Sequence, residues 1–145
     1  MTEQWISSVG GLEASGAPEQ ALDAAAAELG LGLPADYRAV MRRVNGGKAT
    51  FGESAVRLWR AEDLAERNAG YEVREFAPGF TYFGSDGGGE GCAWDLRTDR
   101  KSNYVVLPFI GPDAESAVPC GNTFEEFLAV LHRGIPFERK GPRVT

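Results

Sequence analysis

The chain is poor in the residues from which most reactive sites are built. Of 145 residues one is histidine, His132, and two are cysteine, Cys92 and Cys120. A site needing two imidazoles is thereby excluded, and two distant cysteines make neither a disulfide scaffold nor a short metal-type pair. No apolar run approaches the roughly 20 residues of a membrane span. The longest candidate, Tyr104 to Ile110, is interrupted by Pro108. No Lys or Arg precedes Arg38, so the basic head of a secretory or transit peptide is missing and the expected location is the cytoplasm.

Positive charge is scarce as well. Fifteen Lys and Arg face 21 Asp and Glu, a formal net charge of −6. Such a balance disfavours nucleic acids and anionic membranes and permits a basic protein partner. The imbalance is uneven. Residues 1–36 hold six acids and no base, residues 37–52 four bases and no acid, and residues 53–99 ten acids against five bases. What the chain does have is a core: 43% hydrophobic residues, with three Trp and eight Phe, in a length that suits one domain.

Periodicity supplies the elements. Pro18 and Glu19 open a helix whose apolar face is Leu22, Ala25, Ala26 and Leu29, with Gly30 as its stop. A second helix starts at Pro34, carries Asp36 in its first turn, and buries Tyr37, Val40, Met41 and Val44; Asn45, Gly46 and Gly47 are expected to cap it. Ala55–Trp59 alternates like a strand, Glu62–Asn68 reads as a short helix, and Phe80–Gly84, Cys92–Leu96 and Tyr104–Ile110 read as strands. Short turns at Gly87–Gly89 and Asp99–Asn103 imply antiparallel pairing. Thr123 and Glu126 form a capping box for a last helix with Phe124, Phe127, Leu128 and Leu131 on its apolar face and Gly134 as its end. The order of helices, strands and a helix is α+β.

No catalytic motif stands out. The segment Gly84-Ser85-Asp86-Gly87-Gly88-Gly89-Glu90-Gly91 lacks the lysine of a phosphate loop, carries two acids and runs into a strand, so it reads as a hairpin connection. Asp86, Glu90, Asp95 and Asp99 match no standard cation loop. His132 sits where a helix favours a cation, and neither cysteine has the flanks of a nucleophile motif. Trp59, Tyr82, Phe83, Trp94 and Phe109 read as core, with any exposed member serving as a partner anchor. No cofactor or metal site is expected.

Three segments, in order, carry a resemblance. Leu29-Gly30, Leu33-Pro34-Ala35-Asp36-Tyr37-Arg38 and Asn45-Gly46-Gly47 come first; Phe83 to Gly91 with Trp94-Asp95 follow; Thr123-Phe124-Glu125-Glu126-Phe127-Leu128 closes. Together they resemble the SUKH superfamily, known from fungal cell-wall-assembly regulators and bacterial immunity proteins. The resemblance implies a curved, mostly antiparallel sheet packed against N-terminal helices and a C-terminal helix. It also implies a non-catalytic protein that binds and neutralises a cognate polymorphic toxin, often a nuclease. The resemblance runs from about Ala21 to Gly134, and the expected domain limits are 17–134, with a lead-in over 1–16 and, from the Pro/Gly-containing cluster of Arg139, Lys140 and Arg143, a flexible basic tail over 135–145.

The expected partner is therefore a basic toxin, with no nucleic acid and no membrane, and the expected state is a monomer or weak dimer. Acids at Glu53, Asp86, Glu90 and Asp99 are the expected contact surface, with Tyr82 or Trp94 as anchors if exposed. A regulatory interaction scaffold is the alternative reading. A small hydrolase using carboxylates or a bound cation is the alternative of another class.

Overall fold

The computed structural model describes residues 16–51, 54–98, 100 and 102–133. The two expected helices form α1 (Glu19–Leu29) and α2 (Ala35–Arg43). Gly30 ends α1 with φ 74°, its N–H donating to the carbonyls of Ala26 and Ala27. The buried stripes Leu22–Ala25 and Tyr37–Val40–Met41 turn inward. On the outside Arg38 meets Glu19 and Asp23 at 2.6 and 2.7 Å, and Arg42 meets Glu19 at 2.7 Å, which ties the two helices side by side.

Where α2 ends differs from expectation. Val44 is already extended (φ −138°), and Gly47 opens a strand, so Asn45–Gly47 does not cap the helix. Asn45 caps a different element: its Oδ1 accepts from the Ala61 N–H at 2.9 Å, and its Nδ2 donates to Glu62 at 2.8 Å. Gly46, at φ 87°, lies so close to the chain leaving the second strand that a Cβ would stand 2.7 Å from the Leu58 carbonyl oxygen. Close backbone approach, not helix termination, explains this glycine.

The strands are β1 (Gly47–Phe51), β2 (Ser54–Leu58), β3 (Phe80–Ser85), β4 (Glu90–Asp95), β5 (Tyr104–Pro108) and β6 (Val118–Pro119). They lie in sequence order in one sheet, and every neighbouring pair is antiparallel. Between β2 and β3 run a 3-10 turn (Ala61–Asp63), α3 (Leu64–Gly70) and the single-turn α4 (Val73–Phe76). After β6 comes α5 (Phe124–His132), with the Glu126 N–H bonded to Thr123 Oγ1 at 3.0 Å as the capping box requires. The architecture is α+β. Gly134, the expected stop of this helix, lies outside the described residues, as do the lead-in and the tail apart from Gly16.

One sheet face carries an aromatic core. Trp94 and Tyr104 are cross-strand partners, and a register shift between Tyr82 and Gly84 adds Phe83 beside them. Phe83 stacks on Trp94 with centroids 4.9 Å apart, and Tyr37 of α2 and Phe124 and Phe127 of α5 pack edge-on or tilted around them. Asp36 locks this assembly. Its Oδ1 accepts from the Tyr104 hydroxyl at 2.9 Å, and its Oδ2 accepts from the Phe124 N–H at 2.6 Å. A carboxylate at the start of one helix thus satisfies an orphan donor at the start of another.

On the other side of the sheet Asn68 of α3 continues the ladder where β2 departs. Its amide accepts from the Tyr82 N–H at 2.8 Å and donates to the Tyr82 carbonyl at 2.9 Å. The Tyr82 ring then lies over Gly91, where any Cβ would collide with it and would stand 2.8 Å from Phe109. Gly91 is a seat for an aromatic ring.

Candidate partner-binding surface

The residues expected from sequence to meet a partner are scattered by the fold. Tyr82 and Trp94 are each 1% exposed, one packed over Gly91 and the other in the aromatic core, so neither is a surface anchor. The alternation that puts Trp94 on a strand also turns it inward, because both faces of β3 and β4 are covered. Glu90 is buried as well. Asp86 is half-buried and occupied in shaping the hairpin: its Oδ1 accepts from the Gly88 N–H at 2.7 Å and the Glu90 N–H at 3.2 Å. Glu53 and Asp99 lie outside the described residues. The Gly-rich loop is therefore a hairpin connection, as read from its composition; the Asp86 carboxylate serves the turn and Glu90 is buried in β4.

The acids that reach solvent around a concave surface are others. A cleft of about 560 Å³ opens where the end of α1 meets α3, α4 and the start of β3. Its floor is apolar, with Leu29, Leu31, Val73, Phe80 and the exposed Leu96, and its rim carries Glu28, Glu72 and Glu75 against a single cation, Arg74. Glu72 joins α3 to α4 at φ 52°, the only non-glycine with positive φ among the described residues. A side chain there costs on the order of 1 kcal/mol, and such strain concentrates at functional positions. The far wall is pinned by Asp95, which holds Arg97 at 2.7 and 2.9 Å while Arg97 lies 4.9 Å over the Phe80 ring.

No motif pointed to this cleft. Its parts come from three stretches of chain, and only packing of α1 against α3 brings them together.

The carboxylates with shifted ionisation are held by structural partners. Glu19 is held at about 2 by hydrogen bonds from Arg42 and Arg38. Glu62 is lowered chiefly by the Asn45 hydrogen bond. Burial alone would raise Asp95, but the paired bonds from Arg97 outweigh it and the carboxyl lies below its usual value. These groups are fixed as anions by structural partners and stand outside the cleft lining. Burial pushes the Cys92 thiol well up, which keeps it an unreactive hydrophobe. Among the described residues no three His, Cys, Asp or Glu side chains converge to hold a metal ion, and no helix is long and apolar enough to cross a membrane.

The Asp36 lock, the Asn45–Gly46 crossing and the Gly91 seat are fold-building positions, and all three fall in the segments that carry the resemblance. Comparison with known proteins agrees at the level of family. No curated protein matches the chain at a significant level. The model of the SMI1 / KNR4 family (SUKH-1) matches residues 16–130, nearly the whole described chain, and the protein belongs to that family.

Proposed function

We propose that this protein is an immunity protein that binds a cognate toxin and neutralises it by blocking its active surface, without chemistry of its own. The observation that carries the reading is the acid-rimmed apolar cleft. In a chain of net charge −6, Glu28, Glu72 and Glu75 present negative charge around exposed apolar surface, which suits a basic, partly apolar segment of a partner. A nuclease toxin has such a surface, because its substrate is a polyanion. The inhibitor's negative charge, opposite to that of the basic partner, also steers their encounter.

The reading assigns the acidic contact surface to Glu28, Glu72 and Glu75 in place of Asp86 and Glu90. The test is co-expression with the toxin domain encoded beside the gene, followed by stopped-flow association of the purified pair. The wild-type protein rescues growth, and its association slows by about tenfold or more from low to high salt. Charge reversal at Glu72 and Glu75 slows it further while leaving the melting temperature close to wild type. Rescue without binding, or an on-rate indifferent to both salt and the reversals, would sink the proposal.

A further inference from the structure

Across α3 from the acid-rimmed cleft lies a second groove of opposite character. We propose that it docks an acidic segment of a protein partner that also carries apolar side chains. Lys48 of β1, Arg57 of β2, Arg60 just before the 3-10 turn and Arg67 of α3 line an opening of about 370 Å³, with Asp63 as the one acid of its lining. Lys48, Arg57 and Arg67 form no ion pair with a described residue, and Arg60 reaches Glu62 and Asp63 only at 3.8 and 3.9 Å. Four cations held around one groove repel each other, and an acidic protein with 15 bases in all has gathered them there. Anionic charge is the complement that relieves the repulsion.

The floor of the groove is aromatic. Tyr71 stacks on Phe109 with centroids 4.2 Å apart, Trp59 stacks on both at about 6 Å, and the Arg67 guanidinium lies 5.2 Å over the Trp59 ring. Phe109 continues into a neighbouring hollow lined by Phe76, Ile110 and Pro112. Of the four large hydrophobic side chains exposed among the described residues, three lie along this track: Tyr71, Phe76 and Ile110, the last 90% exposed. The fourth, Leu96, belongs to the acid-rimmed cleft. Cations at one end and aliphatic and aromatic surface at the other match a chain segment that alternates carboxylates with apolar residues.

A nucleic acid fits less well. A long polyanion meets the field of the whole molecule, which is −6, whereas a short acidic segment meets mainly the local cations. Phosphates also leave Phe76 and Ile110 uncovered.

The inference is independent of the toxin reading, because it uses a different groove and no acid of the cleft. Its test pans a display library of random dodecapeptides against the full chain and measures the enriched peptides by fluorescence anisotropy. Enriched peptides should carry net negative charge with Leu, Phe or Trp. Their affinity should fall about tenfold or more in R57E/R67E and severalfold in I110S. All three positions are solvent-exposed, so melting curves should stay near wild type; R57Q/R67Q supplies a milder pair should the reversals unfold the protein. Peptides that are basic or apolar only, absence of enrichment, or equal binding by every folded variant would overturn the proposal. So would tighter binding of oligothymidylate or phosphatidylserine vesicles through the same arginines.

Discussion

The two ends of this molecule are built on different terms. Beneath α2 and α5, long elements interlock through Phe83, Trp94, Tyr37, Tyr104, Phe124 and Phe127, all nearly free of solvent, and Asp36 joins them by hydrogen bonds across 68 and 88 residues of chain. Around α3 and α4 the elements are a 3-10 turn, a seven-residue helix and a single turn, with a strained Glu72 and exposed Tyr71, Phe76 and Leu96. Of the recognisable motifs, Asp36 and the closing helix belong to the first region, whereas Leu29–Gly30 and the glycines Gly47, Gly87 and Gly88 border the grooves of the second. Both open grooves sit in the second. Residues that hold a fold together tolerate little change, while short surface elements leave side chains free to meet a partner.

The largest test of that contrast is Phe83→Ala. The ring contacts five aromatic neighbours and is fully buried, so the substitution should lower the unfolding free energy by about 3–5 kcal/mol in urea titrations. A cost no larger than that of trimming Phe76 would erase the distinction between the regions.

Next comes the Asp36 lock. Asp36→Ala leaves the Phe124 N–H and the Tyr104 hydroxyl without their acceptor and should cost about 2–3 kcal/mol. Tyr104→Phe loses one bond and should cost about 1 kcal/mol. Equal costs for the two would show that the link to α5 contributes nothing.

Asp95 stands behind the cleft and holds Arg97 over the Phe80 ring that lines it. Its folded pKa is depressed, so its contribution is complete above the unfolded value of about 3.9 and is lost as pH falls through the folded value. Asp95→Asn should therefore be less stable than wild type by on the order of 1–2 kcal/mol at neutral pH. The gap should close as the medium is acidified toward about pH 2. A gap that widens on acidification reverses the sign and removes the Arg97 clamp as its cause.

The smallest effect belongs to α4. Glu72→Gly relieves a left-handed backbone and adds chain entropy, so the net change should stay within about 1 kcal/mol. Glu75→Gly, without positive φ, has only the entropy to lose and should destabilise by about that amount. Thermal melts of the pair separate strain from simple loss of helix propensity. Identical melts would mean that Glu72 stores no strain.

Much of this could be seen in the chain. The stripes Leu22–Ala25 and Tyr37–Val40–Met41, the Thr123–Glu126 cap and the glycine hairpin all follow local rules, and they stand where those rules put them. β1 and β6 could not be seen, because Gly47–Phe51 offers little β propensity and Val118–Pro119 has only two residues; pairing with β2 and β5 makes them strands. Asn45 to Gly47 read as a helix cap because the same residues suit caps and close crossings alike. The acids misled for a related reason. Composition counts Asp86 and Glu90 as charge, whereas the turn spends one on backbone N–H groups and the strand buries the other.

By itself the sequence determined an acidic α+β chain with one histidine, its helices and central hairpin, and the ordered motifs of its family, since each depends on residues close together in the chain. Only the tertiary structure decided that Tyr82 and Trp94 face inward, that Asp36 caps a helix 88 residues away, and that four cations and three glutamates border separate grooves on either side of α3. Burial and convergence depend on which distant segments pack together, and no local pattern encodes that.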